Sequence, residues 1–163
     1  MSALIRNYVP ADQSLVDQLV RDAWSELVSL MPGWPELAPR LQALTANADA
    51  SEVIVAEMDG ELVGAVGYVG PHQPKPDFFQ SNWPIVRLMS VAPQARGRGL
   101  GRELLQACIA RARRDQCALI ALHTTPVMLA AQHLYRREGF EVMRELPNMY
   151  GVPYVLMVRP LND

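Results

Sequence analysis

The sequence predicts an α/β domain, one mixed sheet of six to seven strands flanked by about four helices. Three observations predict it. The apolar run Ile85–Val91 leads into a glycine-rich bend and then a helical pattern, the order of a strand, a loop and a crossover helix. The continuous apolar run at residues 118–122 has the character of a strand covered on both faces, as a parallel neighbour would be. Asp59-Gly60 between two strand-like runs supplies the positive φ angles of a tight hairpin, so part of the sheet is antiparallel. At 163 residues, half of them hydrophobic, the chain is expected to be a single domain, 1–163, with one sizeable core.

Taken in order, residues 3–8 alternate apolar and polar and predict a first strand. Asp12 is a plausible N-cap for a helix carrying Leu15, Val16, Leu19, Val20, Ala23, Trp24, Leu27 and Val28 at helical spacing. Met31-Pro32-Gly33-Trp34-Pro35 breaks that helix, and a shorter one follows through Leu37, Leu41 and Leu44 around Pro39. An apolar, proline-rich connection with Trp34 in it is costly to leave bare in water. It is a lid or interface candidate, or a loop packed on its own helix. The hairpin follows at residues 53–58 and 62–68, where Gly64 and Gly67 mark a bulge or a close approach. Residues 70–84, with Pro71, Pro74, Pro76 and Pro84, form a long loop in which Phe78, Phe79 and Trp83 either border a substrate entrance or anchor the loop. After the central strand, a helix over residues 99–114 buries Leu100, Leu104, Leu105, Cys108, Ile109 and Ala112. A last helix carries Met128, Leu129, Leu134 and Tyr135 and ends at Gly139, where a left-handed C′ glycine belongs. Strands at 140–146 and 154–159, joined by a seven-residue connection containing Tyr150, complete the chain.

Composition excludes several classes. A net charge of −2 argues against a general nucleic-acid binder. No apolar run is long enough to span a bilayer and the first residues lack a secretory signal's apolar core, so no membrane partner and a cytoplasmic location are expected. Cys108 and Cys117 fit no metal spacing, and no metal site is expected. Six of the fifteen basic residues, Arg96, Arg98, Arg102, Arg111, Arg113 and Arg114, are gathered beside the glycine bend.

That bend, Arg96-Gly97-Arg98-Gly99-Leu100-Gly101-Arg102, is built for an anion. Glycines let backbone approach a ligand, the first N–H groups of a helix lack internal partners, and guanidinium groups suit phosphate. A P-loop is excluded because Arg102-Glu103 stand where Lys-Ser or Lys-Thr is needed. A dinucleotide fingerprint is excluded because the third glycine falls one residue early, at Gly101. What remains, Arg96-x-x-Gly99-x-Gly101 between strand and helix, resembles the pyrophosphate loop of the GNAT superfamily of N-acetyltransferases. Leu134-Tyr135-Arg136-Arg137-Glu138-Gly139-Phe140 resembles that family's second signature, a helix ending in L-Y-x-x-x-G-F before the sixth strand, and the resemblance spans residues 53–159.

The resemblance implies a GNAT-like acyl-CoA N-acyltransferase fold and acetyl-CoA as cosubstrate. Backbone at Met89, Ser90 and Val91 would pair with the pantetheine arm. Backbone N–H groups of Gly97, Arg98, Gly99, Leu100, Gly101 and Arg102, with the Arg96 and Arg98 side chains, would hold the pyrophosphate. Tyr135 matches the tyrosine that protonates the departing thiolate. One departure is Met128, where many members place a cofactor-contacting Asn seven residues before this Tyr.

Acyl transfer from a thioester to an amine requires a neutral nucleophile, donors for an oxyanion and a proton for sulfur. A lysine amine is neutral about once in 10³ molecules at pH 7 and an α-amine about one time in ten, so the first needs a base more. A backbone N–H near Met89 is placed to meet the oxyanion. Candidate bases are Glu57, Glu61, Asp77 and His123, the last also readable as a strand-end residue, while His72 and His133 have surface character. The expected acceptor is a primary amine of a small molecule. A protein N-terminus or lysine is the alternative, and a non-catalytic acyl-CoA sensor is the rival from another class. Pairing of two copies as a homodimer through the apolar last strands stays open.

Overall fold

The computed structural model describes residues 3–162. Seven strands form one sheet: β1 (Leu4–Asn7), β2 (Glu52–Met58), β3 (Glu61–Val69), β4 (Ile85–Val91), β5 (Leu119–Thr124), β6 (Glu141–Met149) and β7 (Val152–Pro160). They lie in the order β1-β2-β3-β4-β5-β7-β6. Its helices are α1 (Gln13–Trp24), the single turns α2 (Trp34–Leu37) and α3 (Ala43–Ala46), then α4 (Leu100–Arg114) and α5 (Leu129–Arg137). Every pairing is antiparallel except that of β4 with β5, which α4 connects. No helix among the described residues is long and apolar enough to cross a membrane.

The parallel pair is joined at one register position. Ile85 lies opposite Ala121, whose N–H donates to the Pro84 carbonyl at 3.0 Å. Past that point the strands part, and Leu122, His123 and Thr124 of β5 pair only with β7. A wedge therefore opens in mid-sheet between the end of β4 and the end of β5.

Two glycines of β3 show how the layers press on the sheet. A Cβ on Gly64 would come within 2.9 Å of Leu104 Cδ1 on α4, and one on Gly67 within 2.8 Å of Leu44 Cδ1 on α3. Residues an odd number apart on a strand point to opposite faces. So α4 covers one face, α3 the other, and both positions are close approaches. The expected bulge lies between them on the partner strand: Gly67 pairs with Arg87 and Ala65 with Ser90, leaving Leu88 and Met89 both opposite Val66.

Several local expectations are corrected. Asp12 does not cap α1; its carboxylate takes two hydrogen bonds from Arg6, at 2.8 and 3.0 Å, and one from the Val9 N–H at 2.9 Å. The ion pair to β1 outcompetes the cap. The first helix stops at Trp24 and tightens into a 3-10 turn, Ser25–Leu27, and the second is two single turns separated by a 3-10 segment that accommodates Pro39. The last two strands run on to Met149 and from Val152, so their link is a two-residue turn with Tyr150 (φ 53°) and Gly151 (φ 79°), not a seven-residue loop. Prolines 147 and 153 are tolerated because β6 is the sheet edge and Pro153 lies beyond the β5 pairing, which ends at Thr124 opposite Val155. The basic cluster is also divided. Fifteen residues of α4 put Arg111 and Arg114 about 20 Å from the glycine bend, where both bind Glu52.

Candidate active site

The glycine bend sits where β4 hands over to α4. Gly97 and Gly99 both take φ +79°, and a Cβ at either would meet nothing within 4 Å. Glycine is required there by conformation, not by crowding, and the ground above the bend is open to a ligand. The first α4 bond runs from the Glu103 N–H to the Gly99 carbonyl at 3.1 Å. The N–H groups of Leu100, Gly101 and Arg102 therefore lack helical acceptors and face the opening with the positive end of the helix dipole.

Of the three arginines of the bend, Arg96 is turned away, bound to the Glu26 carboxylate and, at 3.2 Å, to the Ala23 carbonyl. It ties the bend to the end of α1. Arg102 donates through Nε to Glu138 Oε2 at 3.2 Å, and Gln106 holds the other oxygen at 3.1 Å, linking α4 to the end of α5. Arg98 is exposed and makes no hydrogen bond or ion pair with the described residues. The bend thus offers backbone donors and one uncommitted guanidinium.

A chain of contacts leads from the bend into the wedge. A Cβ on Gly101 would lie 3.0 Å from Leu134 Cδ2 and 3.8 Å from Met89 Cε, so α4, α5 and β4 meet at that glycine. On β4, Leu88 takes φ +49°, a costly angle for a branched side chain. Ser90 Oγ donates to the Leu88 carbonyl at 3.0 Å and accepts from Trp24 Nε1 at 3.0 Å. This bulged stretch, Leu88 to Val91, is the part of β4 beyond its pairing with β5.

Tyr135 lies on α5 with its ring against Phe140, centroids 6.0 Å apart. It is buried, and burial raises the pKa of its phenol, so the hydroxyl stays protonated at neutral pH and is a weaker acid than a solvated tyrosine. The helix end that holds it is the expected one. Gly139 takes φ +95°, the Phe140 N–H bonds the Tyr135 carbonyl at 2.9 Å, and Arg159 Nε satisfies the Glu138 carbonyl at 2.9 Å. Met128 stands at the N-cap of α5 with a half-buried apolar side chain.

The opposite face of the wedge carries an aromatic box. His123 of β5 is edge-on to Phe78 (5.1 Å) and Phe79 (5.8 Å) and tilted against Tyr154 (5.6 Å), which in turn meets Tyr150 (6.3 Å). The long loop that brings the phenylalanines is stapled by Lys75 Nζ, which donates to the carbonyls of Gly70, Gln73 and Ser81, and by Arg144, which reaches the Phe78 carbonyl at 2.6 Å. His123 Nδ1 is buried with no hydrogen-bond partner. Burial, with the Arg87 charge nearby, pushes its pKa down to about 4, so the ring is neutral at neutral pH.

Over this face the chain forms an arch. The Gly33 N–H donates to the Tyr150 carbonyl at 2.8 Å, and a Cβ on Gly33 would come within 2.2 Å of Tyr150 Cα. The proline-rich connection after α1 is therefore docked on the β6–β7 turn. An open depression of about 650 Å³ beside it is lined by Gly33, Glu36, Arg40, Met149 and Tyr150 among others.

Of the candidate bases, only His123 borders the wedge. Glu57 lies on β2, two strands from β4, and receives Arg6 Nη2 at 3.0 Å. Glu61 and Asp77 are exposed, as are His72 and His133. Residues that sequence reasoning passed over are Gly33, Arg40, Ser90 as a side chain, and Arg87. A signal was present for the last, a lone arginine inside the apolar run Ile85–Val91.

The profile of the acetyltransferase (GNAT) family matches residues 16–140. Over 139 residues the chain is 29% identical to the S-alkylcysteine N-acetyltransferase of Bacillus subtilis, covering 82% of this chain and 76% of that relative. Over 152 residues it is 30% identical to an L-methionine sulfoximine/L-methionine sulfone acetyltransferase of Pseudomonas paraeruginosa, covering 91% and 86%. The crystal structure of a ribosomal-protein-alanine N-acetyltransferase from Brucella melitensis superposes with a TM-score of 0.74 at 29% identity, over 97% of this chain and 99% of that one. Glycine bend, split sheet and sequence agree: the chain belongs to the GNAT family of acetyltransferases, which draw the group they transfer from acetyl-CoA.

Proposed function

We propose that the protein transfers the acetyl group of acetyl-CoA to the primary amine of a small molecule by direct attack. The bend from Gly97 to Arg102 holds the pyrophosphate through backbone N–H groups, with the Arg98 guanidinium as the one side chain free to join them. Arg96, committed to Glu26, acts by fixing the bend. The pantetheine arm runs along the unpaired edge of Met89, Ser90 and Val91 and aims the thioester into the wedge. The acceptor nitrogen attacks the thioester carbonyl, the oxyanion meets the Met89 backbone N–H, and the C–S bond breaks as Tyr135 passes its proton to sulfur, to be reprotonated from solvent once the thiol leaves. The proton lost by the amine goes to water or to His123, a weak base in this setting, so the amine must enter largely neutral. The protein is proposed to work in the cytoplasm.

The observation that carries a small acceptor is the arch. Backbone contact between Gly33 and Tyr150 bridges the face above the wedge, which argues against an extended polypeptide lying across it. The names of the Bacillus and Pseudomonas relatives, both acting on amino-acid-sized amines, support the same reading. The Brucella structure's name favours a second one, a protein N-terminal alanine as acceptor.

The test is thiol release from acetyl-CoA against a panel of small amines and N-terminal peptides, for wild type and Tyr135→Phe. Turnover with a small amine, lowered about 10²-fold by the substitution as loss of a general acid predicts, supports the proposal. Turnover with peptides alone selects the second reading. Acetyl-CoA binding without turnover of any amine returns the chain to the role of a sensor.

A further inference from the structure

Arg87 is held in a setting that this chain gives to no other half-buried arginine. Its Cβ lies 3.5 Å from where a Cβ on Gly67 would stand, beside Leu44, so its side chain leaves the sheet on the α3 face. Burial works against its charge, and the other ionisable groups that bear on it are Arg40, a second cation, and Tyr150. Across the wedge, the neutral His123 is the group that feels it. Among the described residues the Arg87 side chain has no hydrogen bond and no acidic partner. The contrast is with Arg6, held by Asp12 and Glu57, and Arg111, held by Glu52 and Asn7. A guanidinium half withdrawn from water without a counter-ion is held at a cost that an incoming anion would relieve. An arginine with no anion of its own, on the face that α3 covers and in the field of a second cation, therefore marks a place for an anion from outside.

The surroundings say what kind of anion. His123 Nδ1, on the same face, is a buried polar atom without a partner. Phe78, Phe79 and Tyr154 enclose it with apolar ring surface. Arg40 and Tyr150 line the depression under the arch, and Glu36, the acidic side chain of that lining, favours a ligand that also carries a positive group. Along β4, Arg87 stands two residues before Met89, no more than about 7 Å given the bulge between them. An anion gripped at Arg87 thus leaves a neighbouring atom of the same small molecule close to the bulged edge where the thioester is proposed to lie.

We infer that Arg87, seconded by Arg40, binds the carboxylate of the acceptor, so that the substrate class is an α-amino acid with an uncharged side chain seated against Phe78, Phe79 and Tyr154. Planar guanidinium and carboxylate pair through two parallel hydrogen bonds, which fixes the α-carbon and turns its nitrogen toward the acetyl group. The inference deepens the small-molecule reading above and rests on it.

The experiment compares kcat/KM for methionine and leucine with that for their amides, methyl esters and decarboxylated amines. The expected ratio of acid to amide is at least 50-fold in the wild type. Arg87→Gln collapses it to within about threefold of unity, Arg87→Lys restores part of it, and Arg40→Gln lowers it severalfold. Circular dichroism and the Kd for acetyl-CoA, measured on each variant, report folding and cofactor binding separately. Equal use of acids, amides and decarboxylated amines would overturn the inference while leaving the small-molecule reading standing. Acceptance of peptides only would overturn both. A loss of acetyl-CoA affinity in Arg87→Gln with an unchanged acid-to-amide ratio would assign Arg87 to the cofactor and overturn the inference alone.

Discussion

The indole of Trp24, the last residue of α1, donates to Ser90 Oγ at 3.0 Å, and Ser90 in turn donates to the Leu88 carbonyl at 3.0 Å. A helix end is thereby clamped to the one residue of β4 with a left-handed backbone, Leu88 at φ +49°. The clamp sets the direction of the peptide groups that follow, Met89 among them. Ser90→Ala removes one donor and one acceptor from a buried site, at about 1–2 kcal/mol of stability. Turnover is expected to fall about tenfold while the Kd for acetyl-CoA stays within twofold, read by steady-state kinetics and calorimetry. An unchanged kcat would mean that strand pairing alone fixes the bulge.

The glycine bend divides its arginines between architecture and ligand. Arg98→Glu is expected to weaken acetyl-CoA at least tenfold, because it sets an anion among donors arranged for a diphosphate. Arg96→Ala loses an exposed pair with Glu26 and costs less than about 1 kcal/mol in stability, with a smaller effect on affinity. Titration calorimetry of both variants at low and moderate salt checks the division, since the Arg98 effect alone is expected to shrink as salt rises.

Gly33→Ala forces a Cβ to within 2.2 Å of the Tyr150 backbone. No rotamer relieves a clash with main chain, so the arch must lift. The expected result is an acceptor KM raised about tenfold with the acetyl-CoA Kd unchanged, because the arch docks on the β6–β7 turn while the bend is tied to α1 and α5. Equal losses in both constants would show that the arch supports the whole fold.

His123 makes stability depend on pH. Its pKa falls from the ordinary 6.5 to about 4 in the folded chain, so between those values the unfolded state binds the extra proton. Stability is full above pH 6.5 and declines as pH drops toward 4, by up to about 3 kcal/mol. The carboxylates of Asp12, Glu52 and Asp115 are held below their usual range by their arginines and add their losses at lower pH. Thermal unfolding at pH 7, 5.5 and 4.5 is expected to show a slope that His123→Gln flattens.

Much of this was legible in the sequence, and the reasons for the remainder are physical. Strand, glycine bend and helix are local patterns, so Gly97, Gly99, the start of α4 and the C′ glycine at 139 could be read from spacing alone. Asp12 misled because a cap and an ion pair use the same carboxylate, and only the fold shows Arg6 waiting on β1. The arginines of α4 misled because proximity in sequence ignores the length of a helix. Gly33 against Tyr150 and Trp24 against Ser90 are meetings of residues from separate elements, and Arg87 in the field of Arg40 is likewise non-local, so local periodicity carries no signal for them.

The parallel contact at Ile85 and Ala121 is a seam one stitch long between two antiparallel leaves, β1 to β4 and β5 to β7. Whatever lies in that seam becomes a structural member of the sheet, not a passenger on it. Acetyl-CoA is then expected to slow proteolysis and amide exchange along both margins at once, coupling the lifetime of the protein to the supply of its own acyl donor.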